Sequence, residues 1–125
     1  MTDATNYYED ALLDCLRNVS DAVVETVYMQ LHTGDPGEDA DANTAAHTTR
    51  VQVTLGSAAS GGTISNTAAV TFSSLTATET ITHISIWDHS STGNPLYYGD
   101  LTASKDVNAG DTLEFAIGDV DISIA

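Results

Sequence analysis

The stretch TITHISIWDHSSTGNPLYYGDL, Thr80 to Leu101, reads as two strands joined by a polar loop. Side chains alternate along a strand, so Ile84 and Ile86 are expected on one face and Ile81, His83, Ser85 and Trp87 on the other. The connector Asp88-His89-Ser90-Ser91-Thr92-Gly93-Asn94-Pro95 holds short polar side chains that bond their own backbone, a glycine free to take positive φ, and a proline with φ preset. Leu96, Tyr97 and Tyr98 return as the second arm. Burying the single tryptophan, Trp87, would remove roughly 150 to 250 Å² from water, so this hairpin is expected to anchor the core.

Upstream, residues 6–19 carry the one helical pattern. Tyr8, Leu12, Cys15, Leu16 and Val19 recur at helical spacing, Asp10, Asp14 and Arg17 face away, and Asn6 with Glu9 suits a capping box. Cys15 is therefore expected as a buried thiol, and a lone cysteine excludes an internal disulfide. Val27–His32 reads as a first strand. Residues 33–46, rich in Gly, Asp and Ala, have no periodicity and read as an exposed loop. From Thr48 the chain is strand and turn: Val51, Val53 and Leu55 alternate, a Gly/Ser/Ala connector spans 56–62, and Ile64 to Phe72 alternates again. After the hairpin, Asn108 to Asp111 turns into Leu113, Phe115 and Ile117, and Gly118-Asp119 into Val120, Ile122 and Ile124. Seven or eight short strands of this kind predict a mainly β, single antiparallel β-sandwich (jelly-roll-like) with one N-terminal α-helix. One domain, 1–125, is expected, with the helix at 6–19 and the β-sandwich at 24–125.

Eighteen Asp and Glu against three Lys and Arg give a net charge of −15, which opposes binding to nucleic acid because phosphate must be neutralised by cations. In molar salt the Debye length falls to about 3 Å and such self-repulsion is screened, so the composition suits near-saturating brine. An acidic mesophilic surface is the alternative. No apolar run approaches the ~20 residues needed to cross a bilayer, so membrane insertion is not expected. The N-terminal residues lack a secretory pattern, and synthesis in the host cytoplasm is the expectation. Asn18-Val19-Ser20 matches a glycosylation sequon, a pattern common by chance.

Several motifs resemble a family of small proteins of tailed viruses of bacteria and archaea, labelled tail-fibre-like or virion structural proteins. Its members show Gly-Ile-Trp-Asp closing a strand, a Gly-Asn-Leu-Leu-Tyr turn, and Val-Asn-Ala-Gly-Asp-Thr before the closing strands. Here the matching pieces are Ser85-Ile86-Trp87-Asp88, Gly93-Asn94-Pro95-Leu96-Tyr97 and Val107-Asn108-Ala109-Gly110-Asp111-Thr112, with Val27 to Thr33 and Ser65 to Phe72 also fitting. Ser85 replaces the usual glycine, and Pro95 interrupts the turn. With the salt-adapted composition, the resemblance implies a non-enzymatic virion component of a tailed haloarchaeal virus, acting in a tail fibre or baseplate or on the capsid surface as a turret or decoration subunit. Its expected partners are further copies of itself, as a ring or trimer, and other virion proteins.

Chemical motifs are scarce. Nucleophile elbow, phosphate loop and paired metal-ligand spacings are missing, so neither an enzyme nor a cofactor is expected. His32, His47, His83 and His89 are scattered, and His83 is expected to pack beside Trp87. Asp39-x-Asp41-x-Asn43 begins like a calcium loop, but Thr44 stands at the glycine position and Arg50 at the bidentate glutamate, which leaves Asp35, Asp39 and Asp41 as candidates for a looser cation site. Acidic residues are absent from 42–78, where charge depletion marks either a subunit interface through Val51, Val53, Leu55, Val70, Thr71 and Phe72 or strands central in the monomer. An alternative of another class is a module for a host glycan or protein receptor. It would use the 33–46 and 88–95 loops at one end of the sandwich, with Asp88, His89 and Asn94 as contacts.

Overall fold

Period-two patterning builds nine strands and 3.6-residue patterning one α-helix among the described residues, which are 2–17, 24, 26–57 and 61–123 of a computed structural model. In chain order they are β1 (Thr2–Ala4), α1 (Asn6–Asp14), β2 (Val27–His32), β3 (Val51–Val53), β4 (Thr63–Ser65), β5 (Val70–Phe72), β6 (Glu79–Trp87), β7 (Pro95–Val107), β8 (Leu113–Phe115) and β9 (Asp121–Ser123). Five of them form an antiparallel sheet in the order β1-β7-β6-β2-β3. The remaining four form two antiparallel ladders, β4–β9 and β5–β8. One apolar cluster joins the layers: Met29, Leu31, Ile84 and Ile86 of the sheet with Val70, Phe72, Phe115 and Ile122 of the ladders. Phe72 and Phe115 meet edge to face with ring centroids 6.2 Å apart, an arrangement aromatic quadrupoles favour.

The hairpin forms as its alternation predicts, but two irregularities redistribute its side chains. Pairing slips between Ile81, opposite Lys105, and His83, opposite Asp100, so the four β7 residues 101–104 stand against Thr82 alone and the alternation of β6 shifts by one across the irregularity. Ile81 therefore joins Ile84 and Ile86 in the core, against the expectation that it would share the face of His83. A second slip sits opposite Leu96, and both Leu96 and Tyr97 become core residues. Trp87 does not anchor the core. It is half-buried on the opposite face, and fully buried Phe72 is the largest side chain inside.

The single strand expected from Ile64 to Phe72 is two strands in different ladders. Asn66, 2% exposed, makes the break. Its Nδ2 donates to the carbonyls of Ala68 (2.8 Å) and Ala116 (3.0 Å), and its Oδ1 accepts from the backbone N–H of Gly118 and Val120, both at 3.0 Å. All four valences of the amide are used, which is what lets a polar side chain sit inside an apolar layer. The bonds tie the β4–β5 crossover to the turn before β9, where Gly118 takes φ +84.

The helix is shorter than its stripe. It is capped by Thr5, whose hydroxyl accepts from the backbone N–H of Tyr8 and donates toward the carbonyls of Pro95 and Leu96, so the cap lies one residue before the Asn6 expected. Half-buried Tyr7 and Tyr8 pack onto the core, with Tyr8 edge-on to Tyr97 at 5.4 Å. No α1 residue is fully buried, and beyond Asp14 a 3₁₀ turn, Cys15–Arg17, continues. Cys15 is exposed and Leu16 is 87% exposed, correcting the expected buried thiol: the helix packs on the core through Tyr7 and Tyr8 in its first turn. The Asn18 sequon, Val19, residues 58–60 of the connector and Ile124 lie outside the described residues.

Asn66→Ala is expected to lower unfolding free energy by roughly 3 kcal/mol, since one buried side chain makes four hydrogen bonds to the backbone of the crossover and of the turn before β9. A denaturant titration reading less than about 1 kcal/mol would remove Asn66 from this structural role.

Candidate functional site

The register of the five-stranded sheet decides which residues face away from the core. Gln30, Ser85, Tyr98 and Asp3 are successive cross-strand partners, as are His32, His83 and Asp100, and Tyr28 lies between Trp87 and Gln52. Partners directly opposite share a face, so these residues form one polar and aromatic outer surface.

At its centre runs a chain of hydrogen bonds. Trp87 Nε1 donates to Ser85 Oγ at 2.8 Å, Ser85 Oγ lies 2.7 Å from His32 Nε2, and His32 Nδ1 lies 3.0 Å from the Ala42 carbonyl. A carbonyl only accepts, so the His32 proton is on Nδ1, and Nε2 accepts from the Ser85 hydroxyl. Burial pushes the His32 pKa down, against hydrogen bonds to the backbone of Ala42 and Asn43 that raise it. Neutral His32 thus ties the 33–46 loop to β6. That loop crosses the outer face: the backbone carbonyl of Glu38 accepts from the backbone N–H of Asn6 at 3.2 Å. Burial, followed by the carboxylates of Asp3, Glu38, Asp35 and Glu9, raises the pKa of the Tyr98 phenol.

Arg50 governs the other loop. Its guanidinium lies 3.8 Å from the centroid of the Trp87 ring, Nε donates to Gln30 Oε1 at 2.9 Å, and Nη1 donates to the carbonyls of His89 (2.9 Å) and Thr92 (2.8 Å). A planar cation is suited to this combination of stacking and forked donation. Within the loop, Asp88 Oδ1 accepts from Asn94 N at 2.7 Å, and His89 Nδ1 accepts from the backbone N–H of Ser91 and Thr92, each at 3.2 Å. Gly93 has φ +80, and a Cβ there would stand 2.1 Å from Asp88 Oδ1, so only glycine fits the bend. The loop is held through its backbone, while Ser90 and Ser91 stand exposed at its tip. Such a clamp can present a fixed polar contact surface.

The candidates taken from the sequence distribute unevenly. Asp88, His89 and Asn94 come together, but as internal struts of the loop. His83 shares the outer face with Trp87, and its Nδ1 is 2.8 Å from Thr82 Oγ1. Because Tyr28 faces Trp87 and His32 faces His83, the 33–46 and 88–95 loops leave the β2–β6 pair at opposite ends, and the 33–46 loop then reaches Asn6, beside the Thr5 that bonds Pro95 and Leu96. Asp35 accepts from Gly37 N at 2.9 Å, Asp39 and Asp41 are exposed, and among the described residues no three His, Cys, Asp or Glu side chains converge as a metal site requires. Val53, Val70 and Phe72 lie in the chain's own core, so their lack of charge has a source inside the molecule; Val51, Leu55 and Thr71 are half-buried. Sequence reasoning missed Gln30, His32 and Arg50 as a group. The available signal was Arg50 as the one fixed charge within 42–78.

The sequence profile of the family described as Podophage GP4 fiber I protein gp80 matches residues 3–123, from β1 through β9. The chain belongs to this family. No curated protein matches it. A match of this extent supports a structural, fibre-type role in a virion. In this fibre-family chain the clamped loop and the outer face fall within the matched region.

Arg50→Ala is expected to cost about 2 kcal/mol of stability, from charge-assisted bonds and stacking lost together. It should also shift the emission of Trp87, the single tryptophan, to longer wavelength. Arg50→Lys should recover little of either, because one ammonium has neither the separate Nε donor that bonds Gln30 nor the planar group that lies on the indole while the two carbonyls are bonded. Full rescue by lysine would show that charge alone holds the loop.

Proposed function

We propose that this chain is a non-enzymatic structural subunit of a viral fibre, made in the host cytoplasm, docked on other virion proteins and carrying the clamped 88–94 loop outward. The observation that carries the reading is the family match over residues 3–123, which reaches from β1 through β9 of the described residues. The outer-face network supports it physically: neutral hydrogen bonds and one stacked arginine make a stiff surface, the property a module needs to hold its place in a particle.

The acidic surface favours a virus of a halophile. Among the described residues the one ion pair is the exposed Arg17–Asp14 contact at 3.3 Å, so the net charge of −15 goes largely uncompensated within the chain. Molar salt screens that repulsion, and dilute buffer does not.

Immunogold labelling of purified particles tests both parts. Label on fibres or the baseplate, with particles that lose this protein on dilution to low salt, is expected. Absence of the chain from particles would end the virion reading. Label on the capsid shell would replace the fibre with a turret or decoration subunit, and particles unaffected by dilution would remove the halophilic setting.

A further inference from the structure

The distribution of exposed charge is uneven beyond what the sequence alone reveals. Seventeen described residues between 42 and 78 are exposed and none carries a charge, whereas fifteen of the thirty-seven exposed described residues elsewhere do. Burial within the monomer explains Val53, Val70 and Phe72, but it does not explain these seventeen, because they face solvent.

Part of this uncharged surface is continuous. Thr54 O accepts from Thr67 N at 2.9 Å, Gly56 N donates to Ser65 O at 3.0 Å, and Leu55 pairs with Asn66, so the segment after β3 runs beside the one between β4 and β5. This pairing is a seam closing one flank of the two layers. Thr49, Gln52, Thr54, Thr67, Ala68 and Ala69 are exposed along it. The patch extends to Ile117, 67% exposed, because one Asn66 amide nitrogen bonds both Ala68 O and Ala116 O and so fixes the two turns side by side. The neighbouring carboxylates are engaged locally: Asp119 accepts from Ala116 N at 3.1 Å, and Asp121 from the Ser65 hydroxyl.

β3 is also the terminal strand of the five-stranded sheet, and it lacks the charge or proline that usually protects such an edge. The opposite edge strand, β1, carries exposed Asp3.

We propose that this seam flank is the surface on which a second copy of the chain docks. The argument is one of charge. A basic partner would be drawn to the carboxylates that cover the rest of the molecule. Burying a carboxylate at a contact carries a desolvation cost that salt does not screen, so a partner as acidic as this chain, another copy of it, docks where the described surface carries no carboxylate. The inference deepens the fibre reading by naming the face through which copies meet.

The test compares two double variants of equal added charge in the full chain. Thr54→Asp with Ala69→Asp places carboxylates on the seam; Thr102→Asp with Ser104→Asp places them at exposed positions on β7. Mass is measured by light scattering in molar KCl, with circular dichroism as the check on folding. The native chain and the β7 variant should share one multiple of 13.1 kDa, and the seam variant should run as the 13.1 kDa monomer with an unchanged spectrum. Should the seam pair unfold, Thr49→Asp alone, in the coil before β3, gives the same reading. A seam variant that keeps the native mass, a β7 variant that dissociates equally, or a monomeric native chain overturns the proposal. The fibre reading stands or falls separately on the particle labelling, whatever mass is found.

Discussion

The pairing of β6 with β7 is the contact on which the other elements depend. β2 and then β3 extend the sheet from the far side of β6, and β1 extends it from the far side of β7. One face of the pair supplies Ile84, Ile86 and Tyr97 to the core; the other supplies Ser85, Trp87 and Tyr98 to the outer surface. The two slips in its register bring Ile81 and Leu96 inward, so the sheet buries more apolar surface than strict alternation would permit. Thr5 then fastens the start of the helix to the Pro95–Leu96 end of the same pair.

A second constraint is the near absence of cations. Most acidic proteins pair carboxylates with Lys or Arg, but here backbone N–H groups do part of that work. Asp35 bonds Gly37 N, Asp88 bonds Asn94 N, Asp111 bonds Asn108 N, Asp119 bonds Ala116 N, and Glu79 bonds Ala46 N. Each ties a turn or loop with a charge-assisted bond that needs no counter-ion. The cation with structural work, Arg50, is placed where one group can hold a loop through two carbonyls and an indole face at once.

These constraints join fold to function. A sheet with one face in the core, the other crossed by a polar relay, and its turns tied by their own carboxylates is stiff without depending on ion pairs that molar salt would screen. That property suits the proposed role as a component of a viral particle. It also leaves the seam flank as a stretch of surface where, among the described residues 42–78, no exposed residue is charged.

The sequence by itself determined the strand-rich class, the hairpin at 80–101, the strand Val27–His32, the turns at Asn108–Asp111 and Gly118–Asp119, and the family motifs, but not β1, Thr2–Ala4. Those signals are local: alternation, turn residues and charge are written into neighbouring positions. Tertiary structure alone decided that Trp87 faces outward, that Cys15 is exposed, that the 64–72 stretch divides at Asn66, and that Arg50 meets His89 and Thr92 some forty residues away. Each of these depends on which segments become neighbours across the sheet. A period-two pattern shows that a strand has two faces; only the packed layers decide which face is the inside.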